Sequence, residues 1–169
     1  MEQIKLEKTK STKTKKVLIA LDYDKSSKKV AETGYALAKS MNAEVILLHV
    51  ISDPVYYSSA EYSPIVGLTG SLGVEPSQLD TAERLKELTQ NFLAEEKTRL
   101  GDENIQILLK EGDYADTILK TATKLHASMI VIGSHSSRWL EDIVMGSVTN
   151  KVLRHTTIPL FIVPMKKQD

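Results

Sequence analysis

The 169-residue chain contains no cysteine, which removes disulfides, thiolate metal centres and thiol nucleophiles. No apolar run approaches the roughly 18 residues of a membrane span, so no membrane partner is expected. Charge of either sign is not in excess: 22 Lys and Arg stand against 22 Asp and Glu. Without a net field, nothing steers the protein towards nucleic acid. A Walker A sequence is missing, and Gly133 does not begin a G-x-G-x-x-G. The four histidines, His49, His126, His135 and His155, show no H-x-x-x-H metal spacing. Glu141 and Asp142 are adjacent, and helical neighbours point about 100° apart, so they form no acid/base pair. No nucleophile with an oriented base is evident. The N-terminus is lysine-rich but lacks the apolar core of a secretory signal. These absences lead us to expect a cytoplasmic protein that is not primarily an enzyme, with slow incidental hydrolysis of a nucleotide at most.

What remains has the length of one domain with a sizeable core. Residues 1–14 carry Lys5, Lys8, Lys10 and Lys13 among Ser and Thr and read as a disordered tail. Glu2 and Glu7 dilute the charge that an arm for an anionic partner would need. The ordered domain is expected over residues 15–166.

Val17–Leu21 is a continuous apolar run that reads as a buried strand. Val30, Gly34, Leu37 and Met41 then fall on one helical face. Glu44–Ile51 is the second strand. Between Ser52 and Ser77 lies a long Ser-, Gly-, Tyr- and Pro-rich stretch without a sustained period, a length unusual unless functional or mobile. Ser77-x-x-Asp80 resembles a capping box before a helix bearing Leu85, Leu88 and Phe92, with Gly101 as its C-cap. Ile105–Leu109 is a third strand. Asp113 caps a helix with Ala115, Ile118, Leu119, Ala122 and Leu125 on its apolar face. Met129–Gly133, a helical pattern from Gly146-Ser147 through Leu153, and Pro159–Val163 complete the series.

Alternating strands and helices predict parallel pairing through right-handed crossovers. The expected fold class is α/β: a doubly wound five-stranded parallel sheet with helices on both faces, a Rossmann-like sandwich. Ligands in such folds sit outside the carboxyl ends of the strands, where strand order reverses. Asp22, Val50, Gly112 and Gly133 all fall at or just after those ends.

The most informative stretch runs from Met129 to Pro164. A strand ending in Gly133, a polar loop and a helix opening at Gly146-Ser147 are the parts of a phosphate site. A helix start offers unpaired N–H groups and about half a positive charge. Each part has a plain alternative. Gly133 can be a strand-end turn, Gly146-Ser147 an ordinary helix start, and Asp22 a cap or a lysine partner. Their joint placement on one side of the sheet favours a nucleotide. His49 reads as a packed core residue. His135 reads equally as ligand contact or loop, and Arg138-Trp139 as a nucleotide cover or a partner surface.

Gly133-x-x-Ser136, nine further residues and Gly146-Ser147 resemble the G-x2-G-x9-G-[ST] motif of the universal stress protein family. The resemblance runs from Lys16 to about Pro164. It includes Ala20-Leu21-Asp22, Leu48-His49-Val50 and Glu111-Gly112-Asp113. It implies ATP, with Mg2+, as the cofactor. Ala20 and Asp22 would line the adenine and ribose end, and Val50 would present backbone groups to adenine. Gly133, Ser134, His135 and Ser136 would wrap the ribose and phosphates. Gly146, Ser147, Val148 and Thr149 would bind phosphate through helix N–H groups and the two hydroxyls. It also implies a homodimer formed through the last strand. One departure is plain: Ser136 stands where the ATP-binding branch has its second glycine. A left-handed conformation there would cost serine about 1–2 kcal/mol. A different reading is an adaptor with a vestigial pocket, meeting an unknown protein partner through Tyr56, Tyr57 and Tyr62. The H-x-G-H and S-G-G-x-D-S signatures of related adenine-binding enzymes do not occur.

Overall fold

The computed structural model describes residues 14–23, 27–52, 82–134 and 145–165. Among these residues five strands, β1 (Lys16–Ala20), β2 (Glu44–Ile51), β3 (Gln106–Glu111), β4 (Met129–Gly133) and β5 (Leu160–Val163), alternate with four helices. These are α1 (Ser27–Ser40), α2 (Ala82–Leu100), α3 (Tyr114–Lys124) and α4 (Ser147–His155). All strand pairs are parallel, in the order β3-β2-β1-β4-β5. Chain order reverses between β1 and β4, which makes the carboxyl end of that pair the expected ligand position.

The two faces of the sheet follow from residue alternation. Val17, Ile19, Val45, Leu47 and Val131 pack with Val30, Ala31 and Ala38 of α1 and Leu93 of α2. Leu18, Ile46, Leu48, Ile130 and Ile132 pack on the other face with Ala115, Ile118 and Ala122 of α3 and Val152 of α4. The central strands are therefore apolar on both sides, which is why they read as unbroken hydrophobic runs.

β2 and β4 occupy the expected residues. β1 ends at Ala20 rather than Leu21, and β3 runs from Gln106 to Glu111 rather than from Ile105 to Leu109. The buried stripe of α1 is Ser27, Val30, Ala31, Gly34 and Ala38. Leu37 and Met41, expected on that face, pack only at its margin. Gly101 follows α2 with φ +70°, its N–H donating to the carbonyls of Lys97 and Thr98, as its C-cap reading requires. Asp113 caps α3 by accepting the Asp116 N–H at 3.0 Å. The N-terminal tail through residue 13, the Ser77–Asp80 capping box and Tyr56, Tyr57 and Tyr62 lie outside the described residues.

A polar clasp fixes the turn after α2 onto α1. Asp102 accepts from Lys39 Nζ at 2.8 Å, from the Tyr35 hydroxyl at 3.2 Å and from the Asn104 N–H at 2.9 Å. The Lys39 ammonium is the main reason that the Asp102 carboxyl falls from 3.8 to about 2. A depressed carboxylate stabilises the fold above its unfolded value of about 4 and loses that contribution as pH falls towards 2. Asp102→Asn should therefore melt below wild type at neutral pH, with the gap closing between about pH 4 and 2. Thermal melts at stepped pH check this; a gap unchanged down to pH 2 contradicts it.

Candidate functional site

Three chain segments meet at the carboxyl ends of β2, β1 and β4. The first is the turn after β1. Leu21 N–H continues the ladder to the Leu48 carbonyl at 2.9 Å. The Leu21 carbonyl is held by His49 Nδ1 at 2.7 Å. Asp22 is exposed, and its Oδ1 accepts the Tyr23 N–H at 2.7 Å. The Tyr23 ring packs on His49, centroids 4.3 Å apart, and on Phe92 at 4.8 Å. Asp22 forms no ion pair among the described residues, so the lysine-partner alternative finds no support there. Ala20, at the end of β1, is half-buried.

His49 is 3% exposed, as its core reading predicts, yet it does more than fill space. Burial pushes its imidazole below the ordinary value, outweighing the Leu21 carbonyl and the Asp22 charge, which pull the other way. The neutral ring must carry its proton on Nδ1, because a carbonyl only accepts. The sequence signal was available: a polar side chain inside the apolar run LLHVI, if buried, needs a partner.

The second segment is the end of β2. Alternate residues of a strand aim their N–H and C=O at the same neighbour. The Leu48 carbonyl meets β1 and the Ile51 carbonyl accepts from Gly112 beside β3. The peptide groups of Val50 therefore aim to the β1 side, past the last residue of β1. Its side chain is buried on the α3/α4 face.

The third segment joins β4 to α4. Ser134 N–H donates to the Val163 carbonyl at 2.9 Å, and the Ser134 carbonyl accepts the Gly146 N–H at 2.8 Å. Ser134 Oγ accepts the Met165 N–H at 2.9 Å. The Thr149 hydroxyl donates to the Gly133 carbonyl at 2.8 Å, and Thr149 is 3% exposed. These bonds revise part of the expectation. The Gly146 amide and the Thr149 hydroxyl proton are used inside the protein, because Thr149 faces inward under the helix start. Still unengaged among the described residues are the amides of Ser147, Val148 and Thr149, with the exposed Ser147 hydroxyl. Gly146 is the N-cap and supplies no side-chain bond, so the first turn keeps its orphan donors.

Neither glycine of the motif needs a positive φ. Gly146 has φ −56°. At Gly133 a Cβ would stand 3.2 Å from Val30 Cγ2 and 3.7 Å from Met165 Cγ, so this position is one of close approach. Positive φ falls instead on Gly112, at +134°. The sequence did not foreshadow the Met165 bond or the tie from Lys29 Nζ to the Pro164 carbonyl at 2.7 Å. His135, Ser136, Arg138, Trp139, Glu141 and Asp142 lie outside the described residues.

The arrangement offers an anion a helix start, a sugar hydroxyl an exposed carboxylate, and a flat heterocycle an open strand end. No group of three or more His, Asp or Glu able to hold a metal occurs among the described residues. Magnesium keeps waters and phosphate oxygens as ligands, so a nucleotide could bring its own ion without a protein cage.

A parallel sheet reversing between β1 and β4, with an uncapped helix start after β4, defines a doubly wound α/β protein, the class in which ligands sit outside the strand ends. The chain belongs to the universal stress protein family, whose sequence profile matches residues 13–164. Among similar proteins, Universal stress protein YxiE of Bacillus subtilis is 30% identical over 88% of this chain and 97% of its own. Universal stress protein MJ0577 of Methanocaldococcus jannaschii is 27% identical over 90% of this chain and 96% of its own. The solved structure of MJ0577 superposes with a TM-score of 0.67 at 25% identity, covering 91% of this chain and 98% of that one. Universal stress protein UspA from Lactobacillus plantarum shares the fold, with a TM-score of 0.66 at 14% identity over 88% of this chain and 97% of that one. Among the described residues, no helix is long and apolar enough to cross a membrane.

Proposed function

We propose that this protein is a cytoplasmic, homodimeric regulator that binds ATP with Mg2+ at the strand ends and is not primarily an enzyme. The observation that carries this reading is the uncapped start of α4, placed after β4 where the sheet reverses, with β1 and its Asp22 turn on the adjacent strand. The amides of Ser147, Val148 and Thr149 would take the phosphates, Asp22 the ribose, and the Val50 main chain the adenine. Mass spectrometry of small molecules released from protein purified without added nucleotide tests it. An adenine nucleotide in about equal amount to protein is expected; a clean protein that also ignores added ATP favours the adaptor reading, for which Ser136 in place of glycine speaks.

Dimerisation has its own support. Among the described residues β5 has one neighbour in the sheet, and Phe161 and Leu153 are 38% and 46% exposed. An edge strand bearing apolar side chains is stabilised by pairing with a copy of itself. Sedimentation equilibrium should give twice the chain mass at micromolar concentration, whereas a monomer throughout that range contradicts the dimer.

A further inference from the structure

The Leu21 turn has an unusual end to its ladder. Leu21 N–H donates to the Leu48 carbonyl, so the next bond of a parallel ladder would run from the Val50 N–H to the Leu21 carbonyl. The imidazole of His49 takes that carbonyl instead, at 2.7 Å. One side chain thereby ends the β1–β2 ladder and leaves the Val50 amide beyond its last bond. The same ring supports the other side of Asp22, because Tyr23 packs on it at 4.3 Å while the Tyr23 N–H holds the Asp22 carboxylate. Asp22 is thus bracketed by Leu21 and Tyr23, both anchored on His49.

We propose that His49 is the positioning residue of the nucleoside end of the site: it holds Asp22 in place and keeps the Val50 amide open for a heterocycle. This rests on the nucleotide reading above and goes beyond it, since His49 is buried and would act through Leu21 and Tyr23. The Nδ1 donor is the working atom, and asparagine carries a donor at the same distance from its backbone, whereas leucine fills the volume without one.

The test uses the full chain and ATP as the probe, by titration calorimetry. His49→Leu should weaken ATP binding about tenfold, as loss of a buried hydrogen-bond donor implies. His49→Asn should restore affinity to within about threefold of wild type at equal or lower melting temperature, which a purely structural role would not produce. Nitrogen NMR of the wild-type imidazole needs no variant to fold and should show the proton on Nδ1. Wild-type binding retained in His49→Leu, or a proton on Nε2, overturns the positioning role alone. A wild-type protein that binds no ATP overturns the nucleotide reading, and this inference with it.

Discussion

If the start of α4 takes phosphate as proposed, Ser147→Asp should make the protein more stable and weaken ATP binding at least a hundredfold. Ser147 is exposed and opens α4, and the preceding Gly146 supplies no side-chain cap. A carboxylate there meets the positive end of the helix dipole, worth about 0.3–1 kcal/mol. For a domain of this size that raises the melting temperature by about one to three degrees. A polyphosphate drawn to the same amides meets a fixed negative charge instead. One pair of like charges about 4 Å apart near a protein surface costs roughly 4 kcal/mol, so affinity should fall by a hundredfold or more. The two responses have opposite signs, which separates loss of the ligand site from loss of the fold. Differential scanning fluorimetry and calorimetry on the same sample read both. Unchanged ATP affinity in Ser147→Asp would remove the helix start from the site.

Gly34→Leu should be among the most damaging single changes outside the strands. α1 crosses β1 and β4 so closely that a Cβ on Gly34 would stand 2.8 Å from Ile19 Cδ1 and 3.2 Å from Val131 Cγ1. Both neighbours are fully buried and have little room to move. A leucine there must push α1 off the sheet, at a cost of about 1–3 kcal/mol. That is a large share of the roughly 5–15 kcal/mol that holds a domain folded. Gly34→Ala should nearly break even, since the tighter contact is offset by about 1 kcal/mol of helix propensity. Urea midpoints rank the three proteins; a leucine variant as stable as wild type would contradict the packing.

That glycine also shows where the sequence is readable and where it is not. Its place on the helical stripe follows from periodicity, and so do the strands, because apolar runs in a doubly covered sheet have nowhere else to go. Periodicity weighs bulk, however, and so favoured Leu37 and Met41. Close approach of α1 instead selects small residues, and Ala31 and Ala38 take the buried positions. β3 begins one residue late because the Ile105 N–H donates to the Asp102 carbonyl in the preceding turn, and it extends into Lys110 and Glu111 because Val50 and Ile51 pair with them.

At the site, the strand ends and Gly146-Ser147 were visible because turn residues follow apolar runs. The bonds that tie them together were not. Thr149 reaches Gly133 across 16 residues, His49 reaches Leu21 across 28, and Met165 reaches Ser134 across 31. No local pattern encodes such pairs, since the crossover topology brings them together. For that reason the Thr149 hydroxyl, read beside its amide as a phosphate donor, instead gives its proton to the Gly133 carbonyl.

Titration of the full chain with ATP and magnesium in a calorimeter bears most directly on what the strand-end face does. Saturable heat at one nucleotide per chain, with affinity tighter than millimolar and lost in Ser147→Asp, is the result expected of orphan amides that capture phosphate. No heat and no rise in melting temperature at millimolar ATP would mean that the helix start serves the fold alone.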